Sequence, residues 1–295
     1  MNRLLLLVIL LLESSVLAQD AALLRDLKYL PPGQWHPGMK FKIGHLKDND
    51  IKRERPLRAL YPCDIDPSEY LKHPVDMNTI QDQPFTLDSS SSAGQKKLFF
   101  SSNGKCFIYD NKKEEDIFGL VYVDDMEILS KQIVGKTIYV TGTSWLRPTP
   151  DGDFIDKENV RKFVPVTITK IELTKGFSGH MNVHFEAPGM PAALKHVYLS
   201  GINMSSLRDT EDYFFNAFSF EDPRLKYKKI SAKNWASIQK CEVSLGMTKE
   251  ECLLSWGKPE RINTTTSGRG AHEQWVYGIK TYVYFDNDKL TNIQN

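Results

Sequence analysis

The sequence predicts a mainly β chain that ends in a small α/β unit, and three observations predict it. Short apolar runs that alternate with polar residues, broken by Gly, Pro and Asn, fill most of the 295 residues. From residue 232 the apolar period changes from two to 3.6. Past residue 270 it returns to two. The expected architecture is one or two small β-barrel or roll domains followed by a two-helix, three-stranded antiparallel α/β domain. The expected boundaries are 1–18, 19–132, 133–230 and 231–295.

Composition excludes several classes. With 41% hydrophobic and 25% charged residues the chain is globular, not disordered, collagenous or multi-span membrane. The 38 Lys and Arg against 37 Asp and Glu give a net charge of +1, which argues against a nucleic-acid partner.

The N-terminus carries an address. Arg3, the apolar run 4–12 and the small-residue ending Val16-Leu17-Ala18 have the order of a secretory signal peptide, with cleavage expected after Ala18. Glu13 stops the run short of the ~20 residues a membrane anchor needs. Gln19 follows the cut, not a lipid-bearing Cys, and no later stretch is apolar enough to span. The mature chain is expected to be a soluble, exported bacterial protein, periplasmic or extracellular and not a lipoprotein.

Export makes Cys63, Cys106, Cys241 and Cys252 candidates for two structural disulfides, with buried thiols as the other reading. None has C-x-x-C spacing, so a zinc knuckle or redox motif is not expected. Cys63–Cys106 and Cys241–Cys252 are the favoured pairs. The second rests on two helical legs folding back about Gly246.

In chain order, residues 19–30 read as a short helix or leader. β-type runs follow at 39–43, 98–100, 106–109, 118–123 and 137–140, with turns at Gly33, Pro37-Gly38, Asn103-Gly104 and Asp151-Gly152-Asp153. The serine patch 89–94 reads as a flexible loop inside a domain. Val164, Val166 and Ile168, then Ile171 and Leu173, alternate, and runs at 181–185 and 197–199 follow. Residues 37–43 and 134–140 open alike, a Gly turn feeding an alternating strand. That suggests two similar β-barrels or rolls, a duplication of the Src-homology type being one reading and chance similarity over seven residues the other.

The C-terminal segment carries clearer signals. Trp235, Ile238, Cys241 (or Glu242) and Leu245 fall at helical spacing, with Gly246 as the stop. Thr248-Lys249-Glu250-Glu251 is a capping box that opens a helix to Trp256, with Cys252, Leu253 and Trp256 on one face. Strands at 274–277, 281–285 and 290–293 complete the unit, with a turn at Asp286-Asn287-Asp288.

Gly246-Met247-Thr248-x-x-Glu251-Cys252, Gly257-x-Pro259, residues 272–278 and Tyr282-Val283-Tyr284-Phe285-Asp286 resemble the BamE (SmpA/OmlA) family and the wider β-lactamase-inhibitor-like fold over about 50 residues. The resemblance implies a helix hairpin on a three-stranded sheet, in envelope proteins that bind other proteins and catalyse nothing. BamE is a lipoprotein without this chain's long β-rich part. Neither its membership of the outer-membrane assembly machine nor a lipid-binding site carries over.

His180 and His184 share a strand face and are the weak metal candidates, with surface histidines as the preferred reading. Paired carboxylates such as Asp64/Asp66, Asp124/Asp125 and Asp286/Asp288 read as solvated turns. No nucleophile elbow or phosphate loop is present, so no catalytic residue and no cofactor is expected. Trp145, Tyr213, Phe214 and Phe218 are either core or an exposed contact patch, and core is favoured. The expected function is a non-enzymatic protein-binding or scaffold role with another envelope protein as partner. A glycan-binding accessory protein is the alternative, and a secreted metal-dependent hydrolase a lesser one.

Overall fold

The computed structural model describes residues 34–44, 60–66, 69, 79–91, 97–110, 120–142, 145–148, 154–156, 161–174, 181–189, 192–199, 213–267 and 270–295. Residues 1–18, the segment 19–30, Gly33, the turn at 151–153, His180 and residues 92–94 of the serine patch lie outside these residues, while Ser89 and Ser90, expected in a loop, belong to a strand.

Three sheets, all of antiparallel pairs, follow one another along the chain. The first joins β1 (Lys40–Ile43), β2 (Leu60–Pro62), β3 (Pro84–Ser90), β4 (Lys97–Ser102), β5 (Lys105–Asp110) and β6 (Leu120–Tyr122) in the order β2-β5-β4-β3-β1-β6. The second joins β7 (Thr137–Val140), β8 (Leu146–Pro148), β9 (Phe154–Asp156), β10 (Pro165–Leu173), β11 (Met181–Glu186), β12 (Ala193–Val197) and β13 (Phe218–Ser219) in the order β13-β7-β10-β11-β12-β8-β9. None of the sheets closes into a barrel among the described residues. The mainly β, α+β class is as the sequence predicts.

The first two sheets are built on one plan. Read from β6, the first runs as β6-β1-β3-β4-β5-β2; read from β13, the second runs as β13-β7-β10-β11-β12-β8, with β9 added at the edge. The agreement reaches single residues. Gly38 (φ 90°) donates its N–H to the Leu87 carbonyl at 2.8 Å, and Leu87 returns one to Met39. Gly135 (φ 81°) does the same to Ile168 at 2.8 Å, and Ile168 returns one to Lys136. Both glycines sit at positive φ, where a Cβ costs energy, so the resemblance between 37–43 and 134–140 is a shared backbone device.

Pro84 and Pro165 each open a strand, where a missing N–H does least harm, and they oppose Lys42 and Tyr139. A bulge follows in each strand, between Leu87 and Ser89 and between Ile168 and Lys170. The second bulge explains why the buried set steps by three from Ile168 to Ile171 where a regular strand would step by two.

Each sheet packs a core, and Val121 of β6 in the first sheet joins the core of the second. Trp35, Phe41, Phe85, Phe100 and Phe107 fill the first, with Phe41 and Phe100 edge-to-face at 5.8 Å. The Cys63–Cys106 disulfide ties the end of β2 to β5, as the sequence suggested. Val166, Ile168, Val183, Phe185, Phe214 and Phe218 fill the second. Helix α1 (Val123–Ile133) also packs there through Leu129 and Ile133, and a single-turn helix α2 (Phe214–Ala217) supplies Phe214. Sequence reading continued a strand to residue 123 and placed Asp124 and Asp125 in a turn. The structure instead ends the strand at Tyr122 and puts both acids in the first turn of α1, where the helix dipole favours negative charge.

The third sheet, β14 (Arg261–Ser267), β15 (Gly270–Tyr277), β16 (Thr281–Asp286) and β17 (Lys289–Gln294), is a four-stranded meander where three strands were expected. The added β14, Arg-Ile-Asn-Thr-Thr-Thr-Ser, is a solvent-exposed edge strand without the apolar alternation that marks a strand in sequence. Helices α4 (Ala232–Gln239) and α5 (Lys249–Trp256) cover one side of the sheet through Trp235, Ile238 and Cys252. Between the second sheet and α4 lies a one-turn helix, α3 (Pro223–Lys226), started by the Asp222 side chain.

Helix α4 ends six residues before the Leu245 at which sequence periodicity would end it. Cys241 (φ 57°) turns left-handed, its N–H bonds to the Ile238 carbonyl at 3.0 Å, and the Glu242 N–H bonds to Ser237 at 2.9 Å. That pair of bonds is a Schellman stop with Cys where Gly is usual. Leu245 is consequently 65% exposed.

Candidate functional site

The third sheet has two unlike faces. Strand alternation sends Trp275, Val283, Phe285 and Leu290 inward against the helices. The opposite face carries Arg261, Asn263 and Thr265 on β14, His272, Gln274 and Val276 on β15, and Tyr282, Tyr284 and Asp286 on β16, with Asn292 and Gln294 completing it on β17. Only Val276 is buried among them. The face is an amide-and-tyrosine surface with little net charge.

Side chains on this face are linked across all four strands. The Asn263 amide donates to Gln274 Oε1 at 2.8 Å, Gln274 Nε2 donates to the Tyr284 hydroxyl at 2.9 Å, and that hydroxyl donates to Gln294 Oε1 at 2.8 Å. His272 Nδ1 stands 2.5 Å from Asp286 Oδ1 beside the row. A bonded row of short polar chains loses little further rotamer entropy when a partner covers it. The Asn287 side chain and backbone bond back to Ala271, which fixes the β16–β17 turn against the β14–β15 hairpin.

The layer beneath is held rigidly. Thr248 Oγ1 accepts from the Glu251 N–H at 3.1 Å, while Glu251 Oε2 accepts from the Thr248 N–H at 2.7 Å, the reciprocal pair that the sequence motif predicts. Glu251 Oε1 also accepts from Asn234 of α4 at 2.8 Å, which clamps the two helices together. Lys249 pairs with Glu273 at 2.8 Å and ties α5 to the sheet. Hydrogen bonds from Lys249 and Trp275 outweigh partial burial and hold the Glu273 carboxyl below the usual range.

A loop of the second sheet reaches into this unit. Lys162, buried, donates from Nζ to the carbonyls of Ser255 at 2.8 Å and Leu254 at 3.2 Å, the open C-terminal end of α5. Its N–H bonds to the Gln239 carbonyl at the end of α4. Phe163 stacks on Trp235 with centroids 5.3 Å apart and belongs to the third core. Sequence reading missed both residues, because a Lys-Phe pair before a Pro strand has no distinctive spacing.

The residues singled out from sequence are placed as follows. His184 Nε2 stands 2.7 Å from Glu172 Oε1, and Lys170 bonds the same carboxylate. Burial pushes the Glu172 carboxyl up, but the bonds from Lys170 and His184 together hold it below its ordinary value. Among the described residues no group of three or more His, Cys, Asp or Glu could hold a metal ion. Trp145, Phe214 and Phe218 are at most 3% exposed, packed in the second core, with Trp145 edge-to-face on Phe185 at 4.7 Å. Tyr213 is half-buried against Phe215. The core reading of these aromatics therefore stands over the exposed-patch reading.

Cys241 and Cys252 are thiols that are not joined, against the expected second disulfide. The short helix explains the change: Cys241 is the left-handed stop residue, not a position on a helical leg, while Cys252 is buried among Trp235, Trp275 and Phe285. Burial, reinforced by Glu251 and Asp288, pushes the Cys252 thiol up to about 12. Leu253, expected on the inward face of α5, points outward and is 39% exposed.

No helix among the described residues is long and apolar enough to cross a membrane. Comparison with family models, curated proteins and solved structures finds no match.

Proposed function

We propose that this chain is an exported, non-enzymatic binding or scaffold protein of the bacterial cell envelope, and that it engages another envelope protein. The observation that carries this reading is the outer face of the β14–β17 sheet. One side of that sheet is sealed by α4 and α5, and the other presents Asn263, Gln274, Tyr284 and Gln294 already bonded to one another. Tyrosines and amides on a rigid scaffold suit a protein interface, because they offer contact area and hydrogen bonds at low entropy cost. The secretory order of residues 1–18 and the Cys63–Cys106 disulfide support export. The resemblance of the C-terminal part to BamE supports a binding role without catalysis. We read the chain as two rolls of the Src-homology type, over 19–132 and 133–230, that carry this C-terminal domain.

The test is a crosslinking pull-down from native envelope with the full mature chain and with a Gln274→Arg/Tyr284→Ala variant. Loss of a partner in the variant, with an unchanged melting temperature, is the expected result. The same partners on both chains, or none on either, would remove the outer face from the account. A glycan ligand is the second reading, favoured by Tyr282 and Tyr284 beside four amides. Glycan binding that Tyr284→Ala abolishes, with no protein captured, would select it.

A further inference from the structure

The Cys63–Cys106 bridge lies away from the core that it borders. Phe100 and Phe107 oppose each other and point into the first core. Strand alternation therefore sends their neighbours Ser101 and Cys106, which also oppose each other, to the other face of the sheet. Pro62 opposes Phe107, and the Cys63 N–H donates to the Cys106 carbonyl at 3.1 Å, so the bridge joins residues directly across β2 and β5. Both cysteines are exposed. Cys252, buried among aromatic rings, shows the opposite case in the same chain. Exposed disulfides are the ones that thiols reach and reduce, whereas buried sulfur is inert.

The two sulfurs are not equivalent. A thiolate displaces a disulfide sulfur along the S–S axis, from the side away from the leaving sulfur. For Cys106 that side is β4, where Ser101 stands opposite and donates to Asp88 at 2.9 Å. For Cys63 it is the edge of the sheet, because no strand pairs with the far side of β2 among the described residues. Charge points the same way. Exposed Lys105 precedes Cys106 and favours its thiolate, while exposed Asp64 follows Cys63 and disfavours a thiolate there. The thiolate that is better stabilised leaves faster.

We propose that Cys63–Cys106 is a thiol–disulfide exchange site that takes a protein dithiol as its substrate, with Cys63 Sγ as the atom attacked. One thiolate of the dithiol bonds to Cys63 Sγ as the Cys63–Cys106 bond breaks, and the electron pair leaves on Cys106 Sγ. The second thiol of the dithiol, once deprotonated, attacks its own partner sulfur in the mixed disulfide and releases Cys63. Two electrons pass to the chain, whose bridge becomes two thiols, and the dithiol becomes a disulfide. The two protons it gives up reach Cys63 and Cys106 through water. Opening the bridge leaves β2 held by its three-residue ladder to β5 and by Leu60 in the core. The site shares no residue with the β14–β17 face, so it stands apart from the proposed partner site.

The test mixes the oxidised full mature chain, at neutral pH, with the C-x-x-S form of a C-x-x-C oxidoreductase, which attacks but cannot complete the exchange. A covalent adduct is expected, and non-reducing peptide mapping should place it on Cys63 with Cys106 as a thiol. Cys241 and Cys252 are unjoined and offer this reagent no S–S bond. Reduction by dithiothreitol should also proceed on the folded chain, so about 1 M urea should raise its rate less than about threefold. A larger acceleration marks a bridge reached only after unfolding and would overturn the inference. Absence of an adduct, or an adduct on Cys106, would overturn it as well.

Discussion

The first and second β units share their strand order, their glycine turn, their bulge and even one unusual backbone conformation, yet they are stabilised differently. Asp82 (φ 59°) and Phe163 (φ 58°) occupy the same left-handed position two residues before the strand-opening proline, and each donates its N–H to the last residue of the unit's first strand, Ile43 at 2.9 Å or Val140 at 2.6 Å. In the first unit that position carries an exposed carboxylate. In the second it carries an aromatic ring stacked on Trp235 in another core. The first unit has the Cys63–Cys106 disulfide, and the second has none but is fastened to the C-terminal helices by Lys162 and Phe163. A backbone plan leaves room for side chains at one turn to take up a new contact.

Phe163→Ala breaks the comparison most severely. It should cost ~3–5 kcal/mol in chemical denaturation, because it removes a buried ring and opens a cavity against Trp235. Asp82→Ala, at the matching position, should stay within about 1 kcal/mol. Reduction of Cys63–Cys106 should act the other way. The loss of ~2–4 kcal/mol expected of a disulfide falls on the first unit alone, read as earlier melting of that unit by calorimetry.

Lys162→Met keeps the stem and deletes the ammonium that caps α5, at a cost of about 1.5–3 kcal/mol that added salt does not reproduce. Gly38→Ala and Gly135→Ala meet no atom within 4 Å and differ from wild type only in the positive φ. Each should cost about 1–2 kcal/mol, and clearly unequal costs would separate the two turns.

The smallest effect is a pH dependence confined to the second unit. Glu172 has a lowered carboxyl in the folded state, so its contribution is present above its ordinary value and disappears as acid protonates it. Stability of the second unit should fall as pH drops below about 4.5, and Glu172→Gln should flatten that part of the curve.

Legibility in the sequence followed the strength of local signals. The capping box Thr248–Glu251, the β1 and β7 strands behind their glycines and the Cys63–Cys106 pair were readable, since each depends on residues close in sequence or on few alternatives. Helix α1 was missed because its apolar residues Met126, Leu129 and Ile133 follow directly on a strand. The edge strand β14 was missed because Ile262 is its one apolar residue, which gives no alternation to read. The end of α4 was misplaced because nothing local marks Cys241 as a left-handed residue. Cys241→Gly should raise stability by ~0.5–1 kcal/mol if that reading of the stop is right. The outer face of the third sheet was out of reach, because Asn263, Gln274, Tyr284 and Gln294 meet only through strand register.

Native-state hydrogen exchange on the full chain, with and without Phe163→Ala, tests the central claim that the second β unit and the C-terminal domain stand as one cooperative body while the first stands by its own disulfide. The account predicts that the substitution lowers protection together in β10, β11, α4 and β16 and leaves β3 and β4 unchanged. A loss confined to α4, α5 and the third sheet, or one spread evenly over all three sheets, would contradict it.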